Sequence, residues 1–286
     1  MPIKFQLMKS TLVRYSILIA LLISLCSWGD KAHRKINSSC VEFFPKEIQG
    51  LKAWAPILAD HASDADILKK TEKTEFVRHF IDIDIYEDFN KKRKIVEDFN
   101  AACTKYGKEK VIKNGTLPWT TDSTYHALVH DFKTGNWNQA VLTSANLGHY
   151  VGDGFMPLHI TANYNGQLTA QTGIHRRYEE TMIDRYIDGV QLKVSGIHKI
   201  YKVQPFIFDY LYTNNSYIGL LLQADKLAYE QAGRRYNDIY YDSLWGKTSL
   251  FTIKLLTESS KTLAELIYTA WIEAGKPQIP ESVGKR

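Results

Sequence analysis

The sequence predicts an all-α fold in a single domain, and three helical patterns carry that prediction. Apolar residues recur at helical spacing over residues 137–150, and two longer helical patterns cover 204–232 and 242–274. The two long patterns end at Gly233 and Gly275, as helices commonly do. No linker, repeat or low-complexity tract divides the chain, and its length suffices for one full core.

Residues 1–27 have the composition of a secretory signal peptide. Three basic residues and no acidic one accompany an apolar run over 17–26, and Ser27 is a small residue suited to a cleavage point. The run is too short and too one-sided for a typical spanning helix. An N-terminal membrane anchor and a lipid on Cys26 are the alternatives. We expect residues 28–286 to be a secreted or periplasmic domain.

Removal of the N-terminal segment changes the charge balance. The full chain has 36 basic and 31 acidic residues, and residues 1–27 take away three basic ones, which leaves a net charge of +2. This balance gives no argument for a polyanion-binding surface. The two remaining cysteines, Cys40 and Cys103, are equally compatible with a disulfide and with free thiols. Neither has the paired spacing of a structural zinc site.

The first half of the mature chain predicts several helices. Residues 42–62 have an apolar stripe at helical spacing, and 91–106 are charged and helix-prone. Residues 80–85 alternate apolar and acidic side chains, which suits a short strand or an extended loop, and we favour the loop. His126 and His130 are one helical turn apart, and we interpret them as surface or core histidines.

Two short segments before residue 90 are crowded with aspartates and histidines. In isolation such a cluster is typical of a solvated helix end. Its members are Asp60, His61, Asp64, Asp66, His79, Asp82 and Asp84.

The centre of the chain holds two pairs of potential metal ligands with the same spacing. His149 and Asp153 are four residues apart, and so are His175 and Glu179. On a helix this spacing puts both side chains on one face. His159 follows a proline, so it is expected on a turn just past the first helix. Imidazole and carboxylate ligands together suit zinc.

The segment HYVGDGFMPLH, residues 149–159, resembles the signature of the bacterial zinc-dependent phospholipase C family. It is similar in the same way to related fungal and plant single-strand-specific zinc nucleases. The resemblance covers roughly residues 28–180 and is weaker over the two long helical patterns that follow, 204–232 and 242–274. It implies a multi-helix phospholipase C/nuclease-like fold with a zinc cluster in a cleft. It also implies a mature chain that starts at a tryptophan, here Trp28.

The resemblance implies three zinc ions. Asp66 is selected by aligning ASDAD with the nuclease pattern, with Asp64 as the alternative. Carried over position by position, the ligands are Asp66, His79 and His149 for the first ion; His159, His175 and Glu179 for the second; and the Trp28 backbone with His33 for the third, Asp153 bridging the first and third.

These ligands predict metal-assisted phosphodiester hydrolysis. Zinc lowers the pKa of bound water towards about 7 and clamps the phosphate. No Gly-x-Ser-x-Gly or Cys-His pattern competes for the nucleophile. Asp82 and Asp64 are candidates to orient the water, and Lys69 is a candidate to face the phosphate.

The sequence is compatible with two classes of substrate, phospholipids and nucleic acids. Glu179 resembles the phospholipase C branch, whereas the positions of Lys69 and Asp82 resemble the nucleases. We expect a secreted phosphodiesterase of phospholipase C type that acts on phospholipid headgroups. A single-strand nuclease or nucleotidase and a non-catalytic zinc-binding envelope protein are the alternatives. No stable protein partner is evident, and a monomer is expected.

Overall fold

The computed structural model describes residues 29–281, so the expected signal peptide and Trp28 lie outside the described residues. Within that range the chain is built from helices and loops and has no β-strand, which confirms the all-α prediction. The α-helices are, in chain order, α1 (Asp30–Ser39), α2 (Ala55–Asp60), α3 (Asp64–Leu68), α4 (Glu87–Lys92), α5 (Phe99–Tyr106), α6 (Lys108–Lys113), α7 (Leu117–Lys133), α8 (Trp137–Phe155), α9 (Ile174–Arg176), α10 (Ile183–Tyr186), α11 (Val203–Asn215), α12 (Tyr217–Gln231) and α13 (Asp238–Glu273).

Shorter helical turns join several of these helices. A π-helical turn, Arg177–Met182, continues α9 into α10. The 3-10 turns are Cys40–Phe43, Lys46–Trp54, Phe76–Arg78, Ile83–Ile85, Pro157–Ile160 and Ile187–Gly189.

Helix α8 lies at the centre of the fold. It packs against α1, α2, α7 and α13, and every residue from 147 to 155 is buried. A helix that is enclosed on all sides is normally apolar. His149 and Asp153 are therefore dehydrated inside the protein, where an uncompensated polar group is costly.

The long pattern over 204–232 forms two helices, so the prediction of a single helix is wrong. Helix α11 ends at Asn215 and α12 begins at Tyr217. The buried side chain of Asn214 donates to the carbonyl of Gly154, and that of Asn215 donates to the carbonyl of Ile160. These bonds tie the junction to the end of α8, a tertiary contact that helical periodicity does not encode.

Two other predicted helices are interrupted. Within 91–106, Arg93 has a left-handed φ of 57° that ends α4, and Asp98 caps α5 by accepting from Ala101 N at 2.7 Å. Within 42–62, most residues form 3-10 turns, and only Ala55–Asp60 is α-helical. Pro56 lies at the start of that helix, where the missing proline N–H costs no helical hydrogen bond.

The remaining predictions about local structure have clear outcomes. Residues 80–85 form a loop with the 3-10 turn Ile83–Ile85, as we favoured. Cys40 and Cys103 are free thiols, and Cys40 is buried. Within residues 29–281, no helix is both long and apolar enough to cross a membrane.

Candidate metal centre

Three groups of histidines and carboxylates, buried except for the partly exposed Asp66, converge near the end of α8. In each group the potential ligand atoms lie within 4.8 Å of one another. The sequence predicted all of these residues. The groups are His33, His149 and Asp153; Asp66, His79 and His149; and His159, His175 and Glu179.

Three of the histidines are held in the same way. Each ring lies with Nδ1 near a backbone carbonyl, which can only accept, so Nδ1–H donates and Nε2 keeps its lone pair. His149 donates to Ala62 O at 2.8 Å, and His159 donates to His79 O at 2.7 Å. His175 donates to Tyr164 O at 3.0 Å. The three Nε2 atoms are thus oriented as metal ligands.

His79 has a carboxylate in the same role, Glu75, which is not among the site residues predicted from the sequence. Glu75 Oε1 lies 3.3 Å from His79 Nε2 and accepts from the Tyr150 hydroxyl at 2.5 Å. Burial opposes ionisation, but the contacts with His79 and Tyr150 lower the pKa of Glu75 to about 2. A charged Glu75 fixes the ring and leaves His79 Nδ1 for the metal groups. The i, i+4 spacing of Glu75 and His79 was the available signal.

Asp153 lies between the groups and is fully buried. Its carboxylate oxygens are 3.0 Å from His79 Nδ1, 3.4 Å from His149 Nε2 and 3.5 Å from His33 Nε2. His159 Nδ1 is 3.4 Å away. One carboxylate that contacts four imidazoles can bridge neighbouring metal ions.

Glu179 supplies the most direct sign of a cation site. Its side chain is fully buried, and neither carboxylate oxygen forms a hydrogen bond within residues 29–281. His175 Nε2 lies 3.0 Å from Oε1, and His159 Nε2 lies 3.5 Å from Oε2. Because these nitrogens present lone pairs, they cannot donate to the oxygens. Converging lone pairs in a buried site fit a metal ion.

The pKa of His149 also favours metal binding. Burial, together with the charge of nearby His33, lowers the pKa of His149 to about 3. The two rings stack with centroids 4.1 Å apart. His149 is therefore neutral at physiological pH, which is the form that binds metal.

Two glycines of α8 allow α1 to approach closely. A Cβ on Gly148 would lie 2.2 Å from Asn37 Oδ1, and one on Gly152 would lie 3.0 Å from the His33 ring. The Asn37 side chain donates to Leu58 O and Ala145 O, and these two hydrogen bonds hold α1 against α2 and α8. Gly148 and Gly152 therefore help to position His33 by allowing this close approach.

Gly152→Ala is expected to displace His33 and lower the metal content of the protein by about one ion. The added methyl group needs the His33 ring to move by a few tenths of an ångström, and ligand displacement weakens metal affinity by about 10–100-fold. The metal-to-protein ratio after dialysis measures this. Gly219→Ala is the matched control, because a Cβ there meets open space. Equal metal content in both variants would contradict the placement of His33.

Asp66 and Asp64 occupy different places, although they are on the same short helix. Asp66 Oδ1 lies 3.7 Å from both His79 Nδ1 and His149 Nε2, and Lys69 Nζ is 2.5 Å from it. Asp64 instead pairs with His61 at 2.7 Å and is about half exposed. The structure brings Asp66, and not Asp64, into the metal groups.

A cavity of about 160 Å³ opens onto these groups. Three of the potential ligands line it, together with side chains that suit an anionic ester. Its lining is Lys69, Phe76, His79, Phe80, Asp82, Lys113, Leu158, His159, Tyr164 and His175. The cavity thus combines metal ligands, two ammonium groups and one carboxylate, Asp82, with a wall of three aromatic side chains and Leu158.

Asp82 is in an unusual electrostatic environment. Burial, together with the charge of Asp84, raises the pKa of Asp82 to about 7. Asp84 is itself fixed, because it accepts from the Thr161 hydroxyl at 2.5 Å and from Ala162 N at 2.9 Å. These bonds also anchor the segment that follows His159. Asp82 can therefore exchange a proton near neutral pH.

Other sequence predictions fall outside this centre. His126 and His130 lie on the exposed side of α7 and join none of the metal groups. Trp28 is outside the described residues, but its neighbour Gly29 is buried, and Gly29 N donates to Glu179 O at 3.3 Å. The described chain therefore starts beside one of the metal groups.

A scan against protein-family models and a search of the curated proteins found no match for this chain. The resemblance of residues 149–159 to the zinc phospholipases and nucleases stays a prediction. The geometry of the site is the basis for assigning a function.

Proposed function

We propose that this chain is a secreted zinc-dependent phosphoric ester hydrolase of phospholipase C type that holds three zinc ions. The observation that carries the proposal is the placement of three nitrogen-and-oxygen ligand groups around Asp153, beside a cavity lined by Lys69 and Lys113. Zinc is the metal proposed because a mixed set of imidazole and carboxylate ligands suits it, as the resemblance of residues 149–159 also implies.

The number of ligands supports a catalytic centre over a purely structural one. The groups share His149 and together supply eight side chains, whereas a structural zinc site needs only four protein ligands. When bound, the zinc ions would generate a hydroxide near neutral pH and neutralise charge on the phosphate oxygens. The open side of the centre faces the cavity, where His79, His159 and His175 are all accessible to a substrate.

The side chains around the cavity have separate roles in this proposal. Lys113, at the cavity wall, attracts the negative charge of the ester. Lys69 orients Asp66, which it contacts directly, and adds a second positive charge. Asp82 accepts a proton from the attacking water, because its raised pKa lets it do so close to pH 7.

A single-strand nuclease or nucleotidase is the second candidate, and one observation favours it. Phe76 and Phe80 form an edge-to-face pair with ring centroids 5.5 Å apart, and Tyr164 lies on the same cavity. Aromatic side chains of this kind stack nucleobases. They also surround lipid headgroups, so the substrate has to be measured.

The deciding experiment compares two substrates on the exported protein, after its amino terminus has been sequenced. Release of phosphocholine from phosphatidylcholine and of nucleotides from single-stranded DNA are measured with and without 1,10-phenanthroline. We expect phosphocholine release that the chelator abolishes. Chelator-sensitive release of nucleotides alone would move the protein to the nuclease class. Bound zinc without either activity would support a non-catalytic zinc protein.

An extra residue ahead of Trp28 is expected to reduce the bound zinc from three ions to two. The resemblance assigns the amino group of Trp28 to the third ion, and the Gly29–Glu179 hydrogen bond supports this because Gly29, the next residue, lies beside Glu179. Metal analysis of chains starting at Trp28 and one residue earlier provides the test. A residue added after Arg286 serves as the control. Identical zinc content in all three chains would rule out the amino-terminal ligand.

Asp82 is expected to make the stability of the metal-free protein depend on pH. Its folded pKa of about 7 lies above the usual 3.8, so the folded state binds the proton more tightly. The contribution of this proton to the free energy of unfolding is fully present below about pH 4 and is lost as the pH rises through 7. Between pH 4 and 8.5 the free energy of unfolding of the unaltered protein should therefore fall. Allowing for partial exposure, we expect this fall to be about 1–2 kcal/mol smaller in Asp82→Asn.

Urea unfolding of the metal-free protein at several pH values measures this effect. The exposed residue Asp209 on α11 provides a control variant, Asp209→Asn, which removes a carboxylate that pairs with Lys94 and not with Asp82 or Asp84. The same pH dependence in Asp82→Asn and in the unaltered protein would show that Asp82 is not held in the neutral form.

A further inference from the structure

Three separate segments form the mouth of the cavity. Phe76 follows α3, Lys113 ends α6, and Tyr164 belongs to the loop over 161–173. All three residues line the same cavity. Exposed residues on these three segments are therefore candidates to border the cavity opening.

Large apolar side chains are exposed on each of these segments. Scattered exposed apolar residues are ordinary, but these lie on the same segments as the cavity-lining residues Lys69, Lys113 and Tyr164, and such grouping is typical of an interaction surface. We call the group the rim. Its members are Ile67, Leu68, Phe76, Ile112, Tyr164 and Leu168, with exposed fractions of 60, 43, 40, 37, 37 and 71%.

Leu168, the most exposed member of the rim, is held outward by a hydrogen-bonded loop. Its backbone N–H donates to Asn163 Oδ1 at 2.8 Å, and Asn163 Nδ2 donates to the Thr169 hydroxyl at 3.1 Å. Gln167 Nε2 donates to Ala162 O at 2.6 Å. The loop is thus shaped by its own polar side chains, and it projects an aliphatic side chain into solvent.

The exposed charges of residues 67–76 and Lys113 are three lysines and one carboxylate, Glu72, so the net charge beside the rim is positive. Lys70, Lys73 and Lys113 are exposed, and none of them forms an ion pair within residues 29–281. The loop over 161–173 contains no charged residue. An apolar ring bordered by lysines, with an uncharged projecting loop, is complementary to a surface that is anionic outside and apolar beneath.

We propose that the rim is a docking surface for a lipid membrane that contains anionic headgroups, with Ile67 and Leu168 inserted at the interface. The aliphatic side chains of Ile67 and Leu168 favour a membrane over single-stranded nucleic acid, since nucleobases are held mainly by aromatic stacking. The inference rests on the proposed function in one respect: docking would bring the ester of a membrane lipid to the cavity. Membrane binding itself needs no catalysis.

The test measures co-sedimentation of the exported protein, verified at its amino terminus, with vesicles of phosphatidylcholine and of phosphatidylcholine plus phosphatidylserine. We expect stronger binding to the anionic vesicles and its decrease with added salt. Ile67→Ser combined with Leu168→Ser should weaken binding about tenfold, because two aliphatic insertions are lost. Leu250→Ser is the matched control, since Leu250 is 89% exposed and lies on α13, outside the rim.

The possible results separate docking from catalysis. Failure of the unaltered protein to bind vesicles, or an equal effect of the rim and control variants, would overturn the proposal. Tighter binding to oligothymidine, with vesicles unable to compete, would assign the rim to nucleic acid and also overturn it. Hydrolysis of the soluble ester bis(p-nitrophenyl) phosphate by the unaltered protein reports on the phosphodiesterase proposal independently of membrane binding.

Discussion

Asp153→Asn is expected to abolish hydrolysis and to remove more than one metal ion. The carboxylate of Asp153 contacts His33, His79 and His149, so the metal groups share it. An amide of the same size carries no charge and directs N–H groups at imidazole nitrogens. Loss of several kcal/mol of charge stabilisation corresponds to a fall in kcat/KM on the order of a thousandfold or more.

The measurements are kcat/KM and the zinc-to-protein ratio of the purified variant. Asp131→Asn is the matched control, because Asp131 is also a buried carboxylate but bonds to the Thr143 hydroxyl at 2.7 Å, away from the metal groups. A fully active Asp153→Asn variant with unchanged zinc content would remove the bridging assignment.

Chelation of the metal is expected to destabilise the whole fold as well as to stop catalysis. Without a cation, the buried oxygens of Glu179 face His159 and His175 with no donor between them. A ligand held a thousandfold above its Kd stabilises the folded state by about 4 kcal/mol. For a chain of this size we therefore expect a fall in Tm of about 10 °C.

Thermal unfolding before and after phenanthroline treatment measures the effect. Added zinc should restore both Tm and activity, whereas added magnesium should restore neither, because Mg²⁺ prefers oxygen ligands in octahedral geometry. An unchanged Tm after verified metal removal would show that the buried ligand groups are stable without an ion.

The sequence alone was sufficient for the all-α class and for most of the candidate metal centre. Helical spacing placed His149 and Asp153 on one helix, and α8 carries both. The proline before His159 predicted a turn, and the 3-10 turn Pro157–Ile160 provides it. These inferences succeeded because the periodicity of a helix and the geometry of proline are local properties.

The sequence could not choose between Asp64 and Asp66 from residue type or local pattern. The choice depends on which carboxylate faces His79 and His149, and these two residues are brought together by tertiary packing. Glu75 was missed for a related reason. Its role depends on burial beside Tyr150, a contact between residues 75 positions apart.

What the sequence determined by itself was the two ligand pairs with i, i+4 spacing and the helix that carries His149 and Asp153, while the resemblance implied His33, Asp66 and His79. Only the tertiary structure decided that α1 approaches α8 closely enough at Gly148 and Gly152 to bring His33 to Asp153. It also decided that burial and Asp84 raise the pKa of Asp82. Contact between distant segments and exclusion of water are properties of the packed chain, so no local pattern specifies them.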